Sequence, residues 1–440
     1  MPDQSVLLMG LRPQIAYRLA ERRIPFVVWH DKRVCRSVDG CSLVIESVPF
    51  PKSAEPTFRL LEQLFPADQS FSHVIAGTEA SVVAASFARE RFGSRATDHG
   101  MIVRCHDKRL MKAHLRNRGI PIIPYVDPLE EEITVPELID RLGLPVVVKA
   151  TNLSGRQGMV LAHSEKQLEQ LWTGTRNRVC RQLVATQAEF IAASRGVTFG
   201  RKQAQGNVIQ NETNQSETIT NQRPFDDADT TSFLFERWVD VPEVSVESWI
   251  EQGQIQFSNI TEYVEKTWVN LVPSRHSQAI HSRILELNQR VLEELNIEWG
   301  MTHVEYFVDK DRIYLGEIAW RPPGGYLMDL ISLAYGFDAW DAFVNVQLGL
   351  PTDYPHRLVQ AAAAVLFHPG AGLVGSISGI ETIQHNPNLQ QFRLLCRVGQ
   401  TLPPRTRVSN AAAYAIFAAS EPEAVLKSVE EARQALVFRA

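Results

Sequence analysis

Residues 303–325 read His303-Val-Glu305-Tyr-Phe-Val-Asp309-Lys-Asp-Arg312-Ile-Tyr-Leu-Gly-Glu317-Ile-Ala319-Trp-Arg321-Pro-Pro-Gly324-Gly325. Two apolar runs, Met301 to Val308 and Ile313 to Ile318, flank the turn Asp309 to Arg312 and predict a pair of strands. A carboxylate inside an otherwise apolar strand needs a partner. If the strands pair around that turn, Glu305 and Glu317 come from neighbouring strands, and a divalent cation between them offsets both charges and still accepts phosphate oxygens and water. Arg321, next to two prolines and two glycines, carries the planar fork suited to an anionic substrate. The alternative is a glutamate pair on a solvated sheet face, with Arg321 as its ion-pair partner.

Upstream, Leu144-Pro-Val-Val-Val-Lys149 predicts a strand ending in a lysine, and Met159 to Ala162 completes a hairpin around a loop containing Ser154, Gly155 and Gly158. A cation and several backbone N–H groups near one point suit a polyphosphate. The loop is not a P-loop, whose glycine and lysine spacing is missing. A surface hairpin with one exposed lysine is the other reading. A third piece, Leu234-Phe-Glu236-Arg237-Trp238-Val239 running on to Glu243, combines strand backbone, an apolar wall and carboxylates. These suit an adenine edge and ribose hydroxyls, or form a plain edge strand.

The first hundred residues alternate strand and helix patterns and predict an open α/β sheet. The turn after the first strand has only Gly10, so the dinucleotide fingerprint is absent and NAD is not expected. Helical spacing recurs over 107–118, 135–141, 278–295 and 326–348, and short strands precede a last helix over 421–436. This divides the chain into an N-terminal α/β domain (1–105), a central domain (106–350) with a hairpin subdomain at about 125–235, and a small C-terminal α+β domain (351–440). Residues 201–231 are rich in Asn, Gln and Thr with few apolar side chains, a composition that predicts a mobile, partly disordered insertion, with a functional lid as the alternative.

The chain has 440 residues, with 45 Lys plus Arg against 50 Asp plus Glu, and no basic stripe. Nucleic-acid binding through bulk charge is therefore not expected. Five cysteines without a C-x-x-C pair read as reduced thiols, neither a disulfide framework nor a zinc site. No basic leader precedes an apolar stretch and no run of about 18 apolar residues occurs, so neither secretion nor a membrane span is expected. The expected location is cytoplasmic.

Taken in order, Asp107-Lys108 opening a helix, Gly119-Ile-Pro121, Val-Val-Lys149 with its loop, Glu236-Arg-Trp-Val239 and the Glu305/Glu317-Ile-Ala-Trp-Arg321 pair resemble the ATP-grasp superfamily over about residues 1–435. Gly77-Thr-Glu79 and the segment from Pro369 to Ile377 look most like the carboxylate–amine ligase branch, including L-amino acid (dipeptide) ligases, with biotin carboxylases more distant. The resemblance implies that Lys108 and Lys149 contact ATP phosphates, and that the loop with Ser154, Gly155 and Gly158 closes over them. Glu236 and Val239 would meet the adenine and Glu243 the ribose, with Arg237 and Trp238 in the same nucleotide-binding stretch. Glu305 and Glu317 would hold Mg²⁺ or Mn²⁺, and Arg321 would orient a carboxylate during acyl-phosphate chemistry. Glu79, His276, His303, Gly324 and Gly325 are candidates for the substrate pocket. One departure is Ala319, where many members carry a metal-binding Asn. The implied activity joins a small carboxylic acid to an amine, an amino acid above all, in peptide-like natural product synthesis, with a homodimer as the implied assembly. The alternatives are a carrier-protein thiol as acceptor, a carboxylating enzyme, or a non-catalytic ATP-binding regulator.

Overall fold

The structure, a computed structural model, describes residues 5–34, 37–151, 159–176, 233–405 and 408–439. Ser154, Gly155, Gly158 and the polar stretch 201–231 lie outside them. The chain forms two compact units. The larger comprises residues 1–124, 151–156 and 239–440, and the smaller comprises 125–150 and 157–238.

The larger unit opens with four parallel strands, β1 (Val6–Met9), β2 (Phe26–Trp29), β3 (Cys41–Ile45) and β4 (His73–Ala76), in the order β3-β2-β1-β4. Val6 to Met9 are all buried, as expected for a strand covered on both faces. The open α/β sheet read from the alternation is thus present. β3 and the helix His99–His106 are additions to that reading.

The smaller unit is built on the antiparallel strands β5 (Tyr125–Val126), β6 (Val146–Ala150), β7 (Met159–Ala162) and β8 (Phe233–Arg237), ordered β5-β8-β6-β7. Its core joins Val146, Val148 and Phe235 to Leu138, Leu142, Leu168 and Trp172 of two helices. The helix Val135–Leu142 starts with a capping box, Thr134 and Glu137 each satisfying the other's backbone.

The rest of the larger unit is an eight-stranded antiparallel sheet. Its strands include β9 (Glu243–Glu251), β10 (Gln254–Glu265), β11 (Val269–Val272), β12 (Gly300–Asp309), β13 (Arg312–Ala319) and β14 (Ala361–Phe367). The short β15 (Gly372–Leu373) and β16 (Ser376–Ser378) precede β17 (Leu389–Leu394), and β18 (Thr401–Leu402) precedes β19 (Ala413–Ala419) and β20 (Val437–Arg439). The order is β13-β12-β9-β10-β11-β14-β19-β17, with β15–β18 and β16–β20 as separate pairs. One face carries Val244, Val246, Ile260, Val304, Tyr306 and Val308 against the helix Gln278–Glu294. The opposite face is apolar at one end, where Trp249, Phe257 and Met301 join the core formed with the helices Leu327–Tyr335 and Ala339–Leu348. At its other end it is polar, which alternation alone places on the same side.

A β-bulge determines what that polar end contains. β12 and β13 start in register at Asp309 and Arg312, but Tyr306 faces Leu315 while Glu305 faces Glu317, so Gly316 has no partner. The core residues of β13 change parity there, from Ile313 and Leu315 to Ile318 and Trp320. In an unbroken strand Glu317 would share the core side with Leu315. The extra residue turns it to the polar face, opposite Glu305. A Cβ on Gly316 would sit 2.8 Å from the Phe307 ring and 3.1 Å from the Glu305 carbonyl oxygen, so the bulge needs a glycine.

Candidate active site

Four groups meet on the polar face of the larger unit. Glu247, with no exposed side-chain surface, accepts hydrogen bonds from Ser245 Oγ (2.6 Å), Asn259 Nδ2 (2.9 Å), Thr261 Oγ1 (2.8 Å) and His303 Nδ1 (2.9 Å). On its other side His303 Nε2 lies 3.6 Å from Glu305 Oε1, and Tyr263 donates to the same oxygen at 3.4 Å. Burial opposes a charge on His303, but the hydrogen bonds to Glu247 and Glu305 outweigh it and raise its pKa to about 9. Burial likewise opposes ionisation of Glu305, yet His303 and Lys266 hold its carboxyl well below the usual range. Glu305 is therefore an anion at neutral pH, braced from behind.

Opposite it, Glu317 Oε1 lies 3.1 Å from Lys108 Nζ. Lys108 is the first residue of the helix Lys108–Arg116, capped by Asp107, whose Oδ1 accepts from the Arg109 N–H (2.8 Å) and the Leu110 N–H (3.3 Å). The Lys108 N–H also donates to the Thr151 carbonyl at 2.9 Å. Lys108 is buried, so its ammonium is held at Glu317 rather than in solvent.

Arg321 forms the third group. Its Nε pairs with Glu79, and Glu79 Oε1 lies 2.8 Å from His106 Nδ1. Glu79 is pulled far below the usual carboxylate range because, against the cost of burial, Arg321 and His106 both favour its charge. The residue before Arg321 is locked in place. Trp320 packs against Gly300, donates from Nε1 to the Trp299 carbonyl at 2.8 Å, and has the Arg89 guanidinium 4.9 Å from its ring centre. His106 and Glu247 escaped sequence reasoning. Only the register of a sheet, or a distant fold contact, brings them to the candidates.

The fourth group is Glu243, buried at the start of β9 and paired with Lys266. His276 does not join this set. It is bonded to Ser274 (2.8 Å) beside the Glu262–Arg275 ion pair. The two glycines also differ. Gly324 has open space around a would-be Cβ, whereas Gly325 has φ +64° and Asn270 Nδ2 within 3.0 Å of that position.

In the smaller unit Lys149 Nζ lies 2.6 Å from Glu236 Oε2, and both are largely buried. Arg237 points elsewhere, donating to the carbonyls of Leu142 (3.2 Å) and Arg141 (2.9 Å) at the end of the helix Val135–Leu142. Trp238 is exposed, and Val239 begins the return to the larger unit. Ser154, Gly155 and Gly158 fall outside the described residues.

The donor set suits a hard cation. Glu305 and Glu317 offer carboxylate oxygens from directly opposed positions, and each keeps more than a quarter of its side-chain surface exposed. Among the described residues no group of three or more His, Cys, Asp or Glu forms a ready cage. The opposed carboxylate pair accords with Mg²⁺, which binds through one or two carboxylates and completes its shell with water and phosphate. Among the described residues no helix is long and apolar enough to cross a membrane.

Residues 188–328 match the ATP-grasp domain family. An L-arginine-specific L-amino acid ligase of Bacillus subtilis is 21% identical over 285 residues, 63% of this chain and 58% of that protein. The chain thus aligns with little more than half the length of that relative. The structure of an L-amino acid ligase from Bacillus licheniformis superposes with a TM-score of 0.70 at 15% identity, covering 99% of this chain and 98% of that one. The biotin carboxylase domain of a 2-oxoglutarate carboxylase from Hydrogenobacter thermophilus, solved with MgADP and bicarbonate, gives 0.65 at 13% identity, covering 99% and 90%. Residues 188–328 thus carry the match to the ATP-grasp domain family, and the fold of the whole chain is similar to that of these ligase and carboxylase structures.

Proposed function

We propose that this protein is an ATP-dependent carboxylate–amine ligase that condenses a small carboxylic acid with an amine, one or both being amino acids. The observation that supports this most is the opposed pair Glu305 and Glu317, with Lys108 on one side and the Arg321–Glu79 pair in the same unit. Together they offer a seat for a divalent cation, a buried ammonium and an oriented guanidinium. The ligase relatives support the same reaction class.

In this reading Mg²⁺, when bound by Glu305 and Glu317, offsets phosphate charge. The chain's own groups do the rest. Lys108 supplies positive charge for phosphate oxygens in the larger unit, and Lys149 does so in the smaller. Glu236 and Glu243 meet nucleotide base and ribose. Arg321 holds the acid's carboxylate so that one oxygen attacks the γ-phosphorus and ADP departs. The amine nitrogen then attacks the acyl carbon, phosphate leaves, and the nitrogen loses its proton. Such a sequence depends on positioning and electrostatics more than on covalent help from the protein.

The test is Mg²⁺-dependent phosphate release from ATP with amino acids singly and in pairs, followed by mass spectrometry of the active mixtures. Release that requires two substrates and yields their condensed product supports the proposal. Release without condensation, or no release with any pair, overturns it.

A further inference from the structure

Arg12 stands near Arg321 at one end of the parallel sheet. In the order β3-β2-β1-β4 the chain leaves β1 toward β2 on one side, while β4 lies on the other. The crevice beyond the carboxyl ends of β1 and β4 is the topological switch point, where open parallel sheets take their ligands. Two glycines bring these ends together. A Cβ on Gly10 would lie 2.2 Å from Thr78 Oγ1, and one on Gly77 would lie 2.1 Å from the Gly10 carbonyl oxygen. The turns so joined carry Arg12 on one and Glu79 on the other.

Arg12 is held by its inner edge. Its Nε donates to the Gly77 carbonyl at 2.9 Å, and its guanidinium carbon stands 5.9 Å from the ring centre of Trp340. Trp340 is 4% exposed, and its own indole N–H has no hydrogen-bond partner among the described residues. The nearby carboxylate, Glu79, already serves Arg321 and His106. Among the described residues Arg321 has Glu79 as its ion-pair partner and Arg12 forms no salt bridge. Burial, and next the charge on Arg321, lower the pKa of Arg12 to about 10. A surplus cation fixed in a crevice is costly unless an anion joins it.

We propose that Arg12 is a substrate-binding residue whose outer guanidinium nitrogens hold a carboxylate that is not itself activated. The inference rests on the ligase reading and narrows it: one of the two condensing substrates carries an unreacted carboxylate. That group is either the α-carboxylate of an amino acid acting as the amine or the second carboxylate of a dicarboxylic acid. The planar fork matches either.

The experiment compares wild type, Arg12→Lys and Arg12→Met. Phosphate release is measured with amino acids against their α-carboxamides as the amine, and with glutarate against its monoamide as the acid. Losing a charge-assisted pair of this kind raises KM roughly 10- to 100-fold. In Arg12→Met that rise should appear for the carboxylate form, exceed any fall in kcat, and be absent for the matching amide. Arg12→Lys should recover part of it. The substrate whose amide erases the difference identifies the source. Equal losses on carboxylates and amides, or an unchanged KM, overturn the proposal. If wild type releases phosphate with no pair, the ligase reading fails, and Arg12 is judged by binding alone. Glutarate or L-alanine, added with ATP, should then raise the melting temperature of wild type more than that of Arg12→Met, and equal shifts, including none, overturn it.

Discussion

Replacing Glu247 by Gln should destabilise the larger unit far more than its near-identical shape suggests. The carboxylate accepts from four donors, two on each oxygen, and is wholly buried. An amide keeps one acceptor oxygen and points N–H donors at groups that are themselves donating. Thr261 can rotate its hydroxyl, but the Asn259 amide then faces an amide. Leaving one buried donor unsatisfied costs about 1–3 kcal/mol, and removing one partner of the buried pair with His303 brings the total to about 3–5 kcal/mol. With an unfolding entropy of about 2.1 cal/mol/K per residue, the roughly 330 residues of the larger unit should melt about 4–7 °C lower. The loss should depend on pH. The His303 pKa of about 9 in the fold exceeds its ordinary 6.5, so its stabilisation is complete below about pH 6.5 and vanishes as pH rises through 9. Melting followed by circular dichroism in metal-free buffer should therefore show a wide gap between wild type and Glu247→Gln at pH 6 and a narrower one at pH 9.5. A variant melting like wild type, or a gap equal at both pH values, would refute the charged network.

Gly316→Val should lower the melting temperature, through an overpacking cost of about 1–3 kcal/mol, and should weaken the Mg²⁺ dependence of ATP-induced stabilisation by re-aiming Glu317. Lys149→Met removes the ammonium partner of the buried Glu236, a loss of about 3 kcal/mol in the smaller unit. ATP should then protect that unit less against proteolysis. Glu265 is pulled below the usual carboxylate range because, against its burial, Arg433 and Arg405 favour its charge. Its stabilisation is present above the ordinary carboxyl value and lost as pH falls through the lowered one, so wild type and Glu265→Gln should differ in melting temperature at pH 7 and converge as the medium is acidified. Ala319→Asn, at a position 3% exposed and paired with His303, should cost about 1–3 kcal/mol, and the cost should shrink in a His303→Ala background when the four proteins are melted side by side.

The sequence pattern carried the element types well where periodicity was strong, as in β1, β12, β13 and the helix Gln278–Glu294. It also carried the neighbourhood of Glu305 and Glu317, because two charged residues in adjacent apolar strands have few other places to go. What it could not carry was register. With the turn closed at Asp309 and Arg312, regular pairing sets Glu305 against Gly316, and only the bulge moves Glu317 into line. No local propensity marks that slip beyond one glycine. His106 and Glu79 lie 27 residues apart and meet Arg321 only through the fold. Glu247 carries no mark in the sequence pattern, and its importance appears only when Ser245, Asn259, Thr261 and His303 converge on it from its own and two adjacent strands.

The same register explains the departure at Ala319. In the sheet Ala319 stands directly across from His303, as Glu317 stands across from Glu305. A larger polar side chain at 319 would press on an imidazole already fixed by Glu247 and Glu305. The small residue is therefore coupled to the Glu247–His303 support rather than being an isolated loss. Ala319 offers no side-chain donor beside Glu317, while a protonated histidine two residues back on its own strand braces Glu305. On this view the two carboxylates are oriented from opposite sides, Glu305 by His303 and Tyr263, and Glu317 by Lys108. These contacts fix their positions, so the cation proposed to bind there would meet a site that need not reorganise at the moment of reaction.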